Sequence, residues 1–451
     1  MSGPSTDRNR PTGHSGYAPD LLVVGADVLG GGTADVLVRD GLVAAVGADA
    51  AADAPSDVER IDADGLVLLP GFVDLHTHLR EPGREDAETI ASGSRAAAVG
   101  GFTAVLAMAN TNPVTDTAEA AERILDLGAA AGLVDVVPVG AVTKGLDGAE
   151  LAELGLMHRS RARVRVFSDD GRCVADGRVM RRALEYVRAF GGVISQHSQD
   201  PSLAGPQACC HEGETSGRLG LPGWPAVAEA SIIARDAMLA EHTGSRVHVA
   251  HVSTAEGLDV VRWAKARGIA MTAEVTPHHL ALGTDLLAGY DPVFKVNPPL
   301  RPDPDRAALI EGLLDGTIDA IATDHAPHAR HDKEHAFVDA AFGMLGLETA
   351  FAVVHDLLVA DGRLPWRDLA RLMSVAPAAI AGLADHGRPI APGEPANLVL
   401  VDPTASVTVD RDSSQSLSRN TPWHGASLTG AVRTTILRGR VTAHEGAPTS
   451  C

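Results

Sequence analysis

Two short apolar runs, far apart in the chain, each end in residues that bind metals, and few folds bring such ends together. The first is Val73-Asp74-Leu75-His76-Thr77-His78. In an extended segment alternate side chains face the same way, so His76 and His78 sit at a strand tip on one side and can grip one ion. The second is Ile318-Asp319-Ala320-Ile321-Ala322, which delivers Thr323-Asp324-His325 and then His328. An HxH at the first strand meets an acid at the last only if the sheet closes on itself.

Between these runs, strand-like stretches alternate with Ala-rich helical ones. The expected strands are Phe72–Leu75, Thr103–Ala107, Val134–Val139, Val164–Phe167, Gly192–Ser195, Val247–Ala250, Ile269–Ala273 and Ile318–Ala322. The helical patterns include Ala118–Leu127 and Ala226–Glu241. Repeated βα units imply a parallel sheet, and eight of them close into a (β/α)8 barrel, an α/β fold. An open doubly wound sheet would give no reason for an HxH at strand one and an acid at strand eight.

Both ends of the chain look different. Residues 21–70 and 386–451 hold short strands and tight turns, such as Leu21–Val24, Leu42–Val46, Ala396–Val401 and Ala431–Leu437. Neither set has enough strands for independent stability. Together they are expected to form a small β-sandwich domain flanking a barrel over residues 71–385. Residues 1–20 are rich in Ser, Pro, Gly and Arg and are expected to be a disordered tail, with no signal-peptide or membrane-span pattern.

Bulk properties narrow the task. The 451 residues carry a formal net charge of −20, which argues against nucleic acid or an anionic membrane surface as partner. A few local cations still suffice for a small anionic substrate. The four cysteines show no CxxC spacing and fit a reduced, cytoplasmic protein.

In such barrels chemistry sits at the C-terminal strand ends. There the chain offers His76, His78 and Arg80, then Asn110, then Asp169 and Asp170, then His197, His251, and finally Asp324, His325 and His328. Imidazoles and carboxylates without thiolates suit Zn²⁺. So many ligands exceed one tetrahedral ion and suit two, with a bridging carboxylate and hydroxide. The site would keep a residual positive charge that favours an anionic substrate. Asp324 would shuttle the proton to the departing amide nitrogen.

These residues resemble the amidohydrolase superfamily and, within it, the bacterial type I dihydroorotases. The matching segments are Asp74–Gly83, Met108–Pro113, Phe167–Gly171, Val249–Thr254, Lys295–Arg301 and Ala322–His328. Related cyclic amidases place a carboxylated lysine on the fourth strand, whereas Val164–Asp170 contains none. The chemistry alone does not choose between Asp169 and Asp170; the family's spacing to His197 selects Asp170.

The resemblance implies one zinc held by His76, His78, Asp170 and Asp324, and a second by Asp170, His197 and His251. It implies substrate contacts from Arg80, Asn110, Asn297 and His328, with Phe342 and Gly343 shaping the pocket by backbone. The implied reaction is the reversible cyclisation of N-carbamoyl-L-aspartate to L-dihydroorotate in pyrimidine synthesis. The implied assembly is a homodimer or a complex with aspartate transcarbamoylase. His278, His279 and His325 are expected to be supporting groups. One local departure is Ser198-Gln199 after His197, where the family has Cys-Glu. The alternatives are an allantoinase or hydantoinase-like cyclic amidase, and a non-catalytic scaffold for the transcarbamoylase, which would lack metal ligands.

Overall fold

The computed structural model describes residues 19–449, so most of the expected N-terminal tail lies outside the described residues. Eight parallel central strands run in chain order: Phe72–Thr77, Phe102–Ala107, Asp135–Pro138, Val166–Phe167, Val193–Gln196, Arg246–Val249, Met271–Val275 and Ala320–Ile321. The first three form one sheet and the last five another. Single parallel bridges join the two arcs at both seams, Gly140 to Phe167 and Thr77 to His325. Strands such as Phe102–Ala107 and Val193–Gln196 are buried on both faces, which explains why they read as near-continuous apolar runs rather than as alternation.

Helices cover the outside. The expected patterns become helices Ala118–Ala131 and Val227–Thr243. Thr117 caps the first through Ala120 N–H, as the free N–H groups of a helix start require. Phe72 stacks against Phe351 at 5.9 Å and meets Phe102 edge-on at 5.8 Å, in the layer between strands and helices. Each such ring contributes roughly 1.5–3 kcal/mol by leaving water. Leu75, Leu106, Val139, Val166, Val193 and Ala320 form one buried apolar cluster among the central strands.

Strands from both ends of the chain pair with one another. Val67–Pro70 lies antiparallel to Leu398–Thr408 and parallel to Leu21–Val28. All nine strands belong to one hydrogen-bonded sheet. One of them, Glu59–Asp62, is mostly exposed and polar, and no apolar alternation marks it in the sequence.

Asp74 lashes the first and last central strands together. One carboxylate oxygen accepts the N–H groups of His76 and Thr323, and the other accepts the Thr323 hydroxyl. Burial, outweighing these bonds, raises this carboxyl to about 6. The tie fixes where His76 and Asp324 emerge. Three site residues, Arg80, His251 and Asp324, have φ of 61°, 34° and 48°. Non-glycine residues rarely adopt such values, which cost about 1–3 kcal/mol each and concentrate at functional sites.

Candidate metal centre

Asp170 is the hub. Its Oδ1 lies 3.3 Å from His76 Nε2, 3.4 Å from His197 Nδ1 and 3.2 Å from His251 Nε2, while Oδ2 lies 3.4 Å from His78 Nε2. Asp324 Oδ1 stands 3.0 Å from His78 Nε2 and 3.7 Å from His76 Nε2. Two triads result, His76–His78–Asp170 and Asp170–His197–His251, each with its ligand atoms within 4.8 Å of one another. All six expected ligand residues therefore meet, buried, at the open end of the central strands.

The choice between neighbouring aspartates now has a structural answer. Asp169 turns away, accepting the N–H groups of Val142 and Thr143 and the Thr143 hydroxyl. Only Asp170 faces the imidazoles.

The outer nitrogens set the tautomers. His76 Nδ1 donates to Glu274 Oε1 at 2.9 Å, His78 Nδ1 to Asn110 Oδ1 at 3.0 Å, and His197 Nε2 to Gln199 Oε1 at 2.8 Å. Each bond leaves the other nitrogen's lone pair aimed inward. His197 Nδ1 and His251 Nε2 are only 3.0 Å apart, and His76 Nε2 is buried without a hydrogen-bond partner. Lone pairs and carboxylates converging this closely repel unless cations lie among them. The donor set, nitrogen and oxygen with no sulfur, fits divalent zinc-like ions. Burial works to raise Asp170 and Asp324, but the surrounding imidazoles outweigh it and hold both below the usual carboxylate range.

Arg80 stands beside this centre. Its Nε donates to the Pro327 carbonyl at 2.9 Å, and Nη2 lies 3.3 Å from His328 Nε2. No carboxylate among the described residues pairs with it: Glu81 takes the Ile90 N–H and Glu85 the Gly83 N–H. Burial, then Arg84 nearby, pulls its guanidinium down to about 10. A desolvated cation without a counter-ion is a receptor for an anion. His328 Nε2 donates to the Phe342 carbonyl at 2.6 Å, and its Nδ1 has no partner. Asn297 Oδ1 is likewise unpartnered, while its amide donates to Gln199 at 3.4 Å. Gly343 has φ 132°, and a Cβ there would lie 2.9 Å from His328 Nε2.

Asn110 also makes contacts that were not expected of it. Both arms of its amide are engaged, with His78 and, at 3.3 Å, with the Asp170 carbonyl, so it orients ligands as well as facing the site. His279 bonds Thr276 and the Pro298 carbonyl, and His325 bonds Glu88, so both are supporting groups. His278 is different, with a buried Nε2 that has no partner. Sequence reasoning missed Glu274, which sits in the seventh strand and also binds His248 Nε2 at 3.0 Å. A charged residue inside an apolar parallel strand was the available signal.

Residues 65–257 match the family model described as Dihydro-orotase-like, and residues 229–442 match the Amidohydrolase family. Among solved structures, the L-hydantoinase (dihydropyrimidinase) of Arthrobacter aurescens superposes with a TM-score of 0.84 at 27% identity, over 96% of this chain and 98% of that one. The dihydropyrimidinase of Brevibacillus agri, at 22% identity and a TM-score of 0.83 over 95% and 96% of the two chains, shares the fold. Fold and site together define an amidohydrolase. Dihydroorotases of Streptomyces coelicolor and Mycobacterium tuberculosis are each 57% identical, over 94% and 91% of this chain and 98% and 95% of theirs. The chain belongs to the dihydroorotase family.

Proposed function

We propose that this chain is a type I dihydroorotase on a (β/α)8 barrel, interconverting N-carbamoyl-L-aspartate and L-dihydroorotate. The observation that carries the reading is the pair of buried triads sharing Asp170, with Arg80 unpaired beside them. Closure of the barrel is supported by the two seam bridges. The type I reading is supported by an aspartate, rather than a lysine, at the hub after the fourth strand. His76, His78, Asp170 and Asp324 would hold one divalent cation, and Asp170, His197 and His251 a second, with Zn²⁺ the best match to the donor set. Such a pair supplies hydroxide at neutral pH and polarises the scissile carbonyl.

The chain's own residues do the rest. Arg80 receives the ring carboxylate. His328 and Asn297, each with a free buried polar atom, offer hydrogen bonds to the ring. Asp324, through Oδ1, takes the proton released during attack and passes it to the ring nitrogen as the amide bond breaks. In the reverse direction Asp324 starts protonated and donates, so cyclisation is favoured at lower pH and hydrolysis at higher pH. The assay is dihydroorotate loss followed by ultraviolet absorbance, with and without chelator. Activity untouched by complete metal removal would sink the reading.

The likeness to hydantoinases gives the second reading, another cyclic amidase. Hydantoin and dihydrouracil lack the carboxylate that Arg80 would meet. A substrate panel decides: turnover of those rings but not dihydroorotate would favour the rival. The proposed assembly, a homodimer or a complex with aspartate transcarbamoylase, is tested by sedimentation of the chain alone and with that enzyme.

A further inference from the structure

Asn420 belongs to the connection between strands Leu398–Thr408 and Ser427–Leu437, yet its side chain reaches the loops that follow the eighth central strand. Its Oδ1 accepts the His328 N–H at 3.2 Å. Its Nδ2 donates to the Ala326 carbonyl at 3.0 Å and the Gly343 carbonyl at 3.2 Å. Its backbone carbonyl accepts Leu345 N–H at 3.2 Å. The residue is 6% exposed, so these bonds replace water rather than compete with it.

One amide thus joins the two stretches that would face substrate, 326–328 and 342–345. They already touch without slack, since a Cβ on Gly343 would lie 2.6 Å from Ala326 Cβ. The connection bearing Asn420 is itself tied down. Leu417 N–H and the Ser416 hydroxyl bond Glu88, the Ser418 hydroxyl donates to the Ala87 carbonyl at 2.7 Å, and Gln415 N–H bonds Glu348. From the opposite side, Lys333 Nζ donates to the Gly343 carbonyl at 3.0 Å and the Ala341 carbonyl at 2.9 Å.

We propose that Asn420 is a positioning residue: it sets His328 and the Phe342–Gly343 backbone at the distance the substrate ring requires, and so controls substrate binding from the far end of the sequence. The inference rests on the dihydroorotase reading and on His328 lining the pocket. It touches no metal ligand.

The experiment compares Asn420→Ala, Asn420→Asp, His328→Ala and, as a control on the same connection, Ser418→Ala. KM and kcat for dihydroorotate, metal content and thermal unfolding are measured for each. Asn420→Ala is expected to raise KM about tenfold, with kcat within about threefold and metal content unchanged. Asn420→Asp keeps the bond from His328 N–H but sets a carboxylate against two carbonyls, so it raises KM at least as far. It decides the matter should the alanine variant not fold. Ser418→Ala is expected to leave KM within about twofold. An unchanged KM in the Asn420 variants, with KM raised in His328→Ala, overturns the role of Asn420 alone. An unchanged KM in His328→Ala overturns the pocket reading itself.

Discussion

The two triads share Asp170 but are backed differently. Behind His76 stands a carboxylate: Glu274 Oε1 takes its outer N–H, and Glu274 also bonds His248 and, at 3.4 Å, the His251 backbone N–H. Behind His197 stands only the neutral amide of Gln199, and the outer nitrogen of His251 has no partner. A carboxylate behind a ligating imidazole raises its basicity, and losing such a partner typically costs 10–100-fold in metal affinity. The comparison teaches that a site built around one shared aspartate need not be symmetric. The first triad is expected to bind its cation more tightly, and a chelator to empty the centre in two phases.

The largest effect breaks both halves at once. Asp170→Ala removes the hub from each triad, leaving four inward imidazoles with nothing between them. Activity is expected to fall by about 10³-fold or more, because the nucleophile and the polarised carbonyl both depend on the cations. Elemental analysis should find little bound metal. Full loading of this variant would mean that Asp170 is not the shared ligand. Asp169→Asn is the paired control; it loosens the bonds to Val142 and Thr143 without touching the triads.

The next two substitutions exchange the backing. Glu274→Gln removes the charge behind His76, and the tighter phase of chelator release is expected to weaken by about 10–100-fold, toward the slacker one. Glu274 is fully buried with two imidazoles against it, so some loss of stability accompanies the change. Gln199→Glu does the reverse. It places a carboxylate behind His197 and is expected to tighten the weaker phase by about tenfold, merging the two phases. Two phases persisting unchanged in both variants would show that the backing does not set the affinities.

The ligands of both triads were legible in the sequence, and their backing was not. These residues lie at or just after the ends of apolar strand runs, so position along a strand sufficed for His76, His197, His251 and Asp324. Glu274 falls one residue past the expected strand Ile269–Ala273, where its charge was a signal, but nothing local says that it backs His76, 198 positions away. Gln199 stood out only as a departure from a pattern, with no sign that it faced a ligand. Asp169 and Asp170 share one local context; spacing by resemblance favoured Asp170, and in the structure contacts from other strands separate them. Asn420 sits in a Ser-Arg-Asn-Thr-Pro stretch that carries every mark of a turn, and nothing local says that its amide closes the pocket. Locally coded features were readable; pairings between distant, individually unremarkable residues were not.

The smallest expected effect tests whether the asymmetry is confined to the open end of the strands. Asp135, at the start of the third central strand, bonds His386 Nε2 at 2.8 Å and Arg438 Nη1 at 3.1 Å, tying the central strands to the terminal sheet. Burial works to raise this carboxyl, but His386 and Arg438 outweigh it and hold it below the ordinary range. A carboxyl lowered on folding adds stability in full above its unfolded value, near 4, and that stability fades as the pH falls below it. Because the pair is partly open to solvent, Asp135→Asn is expected to cost about 1–2 kcal/mol at pH 7. The gap between wild type and variant in thermal unfolding should narrow steadily as the pH is lowered through 4 to 3. Both chelator phases should stay as in wild type, since no atom of this tie touches a ligand or its backing. A shift in either phase would show that the mode of attachment of the terminal sheet reaches the metal centre, and the two triads could then no longer be read from their immediate partners alone.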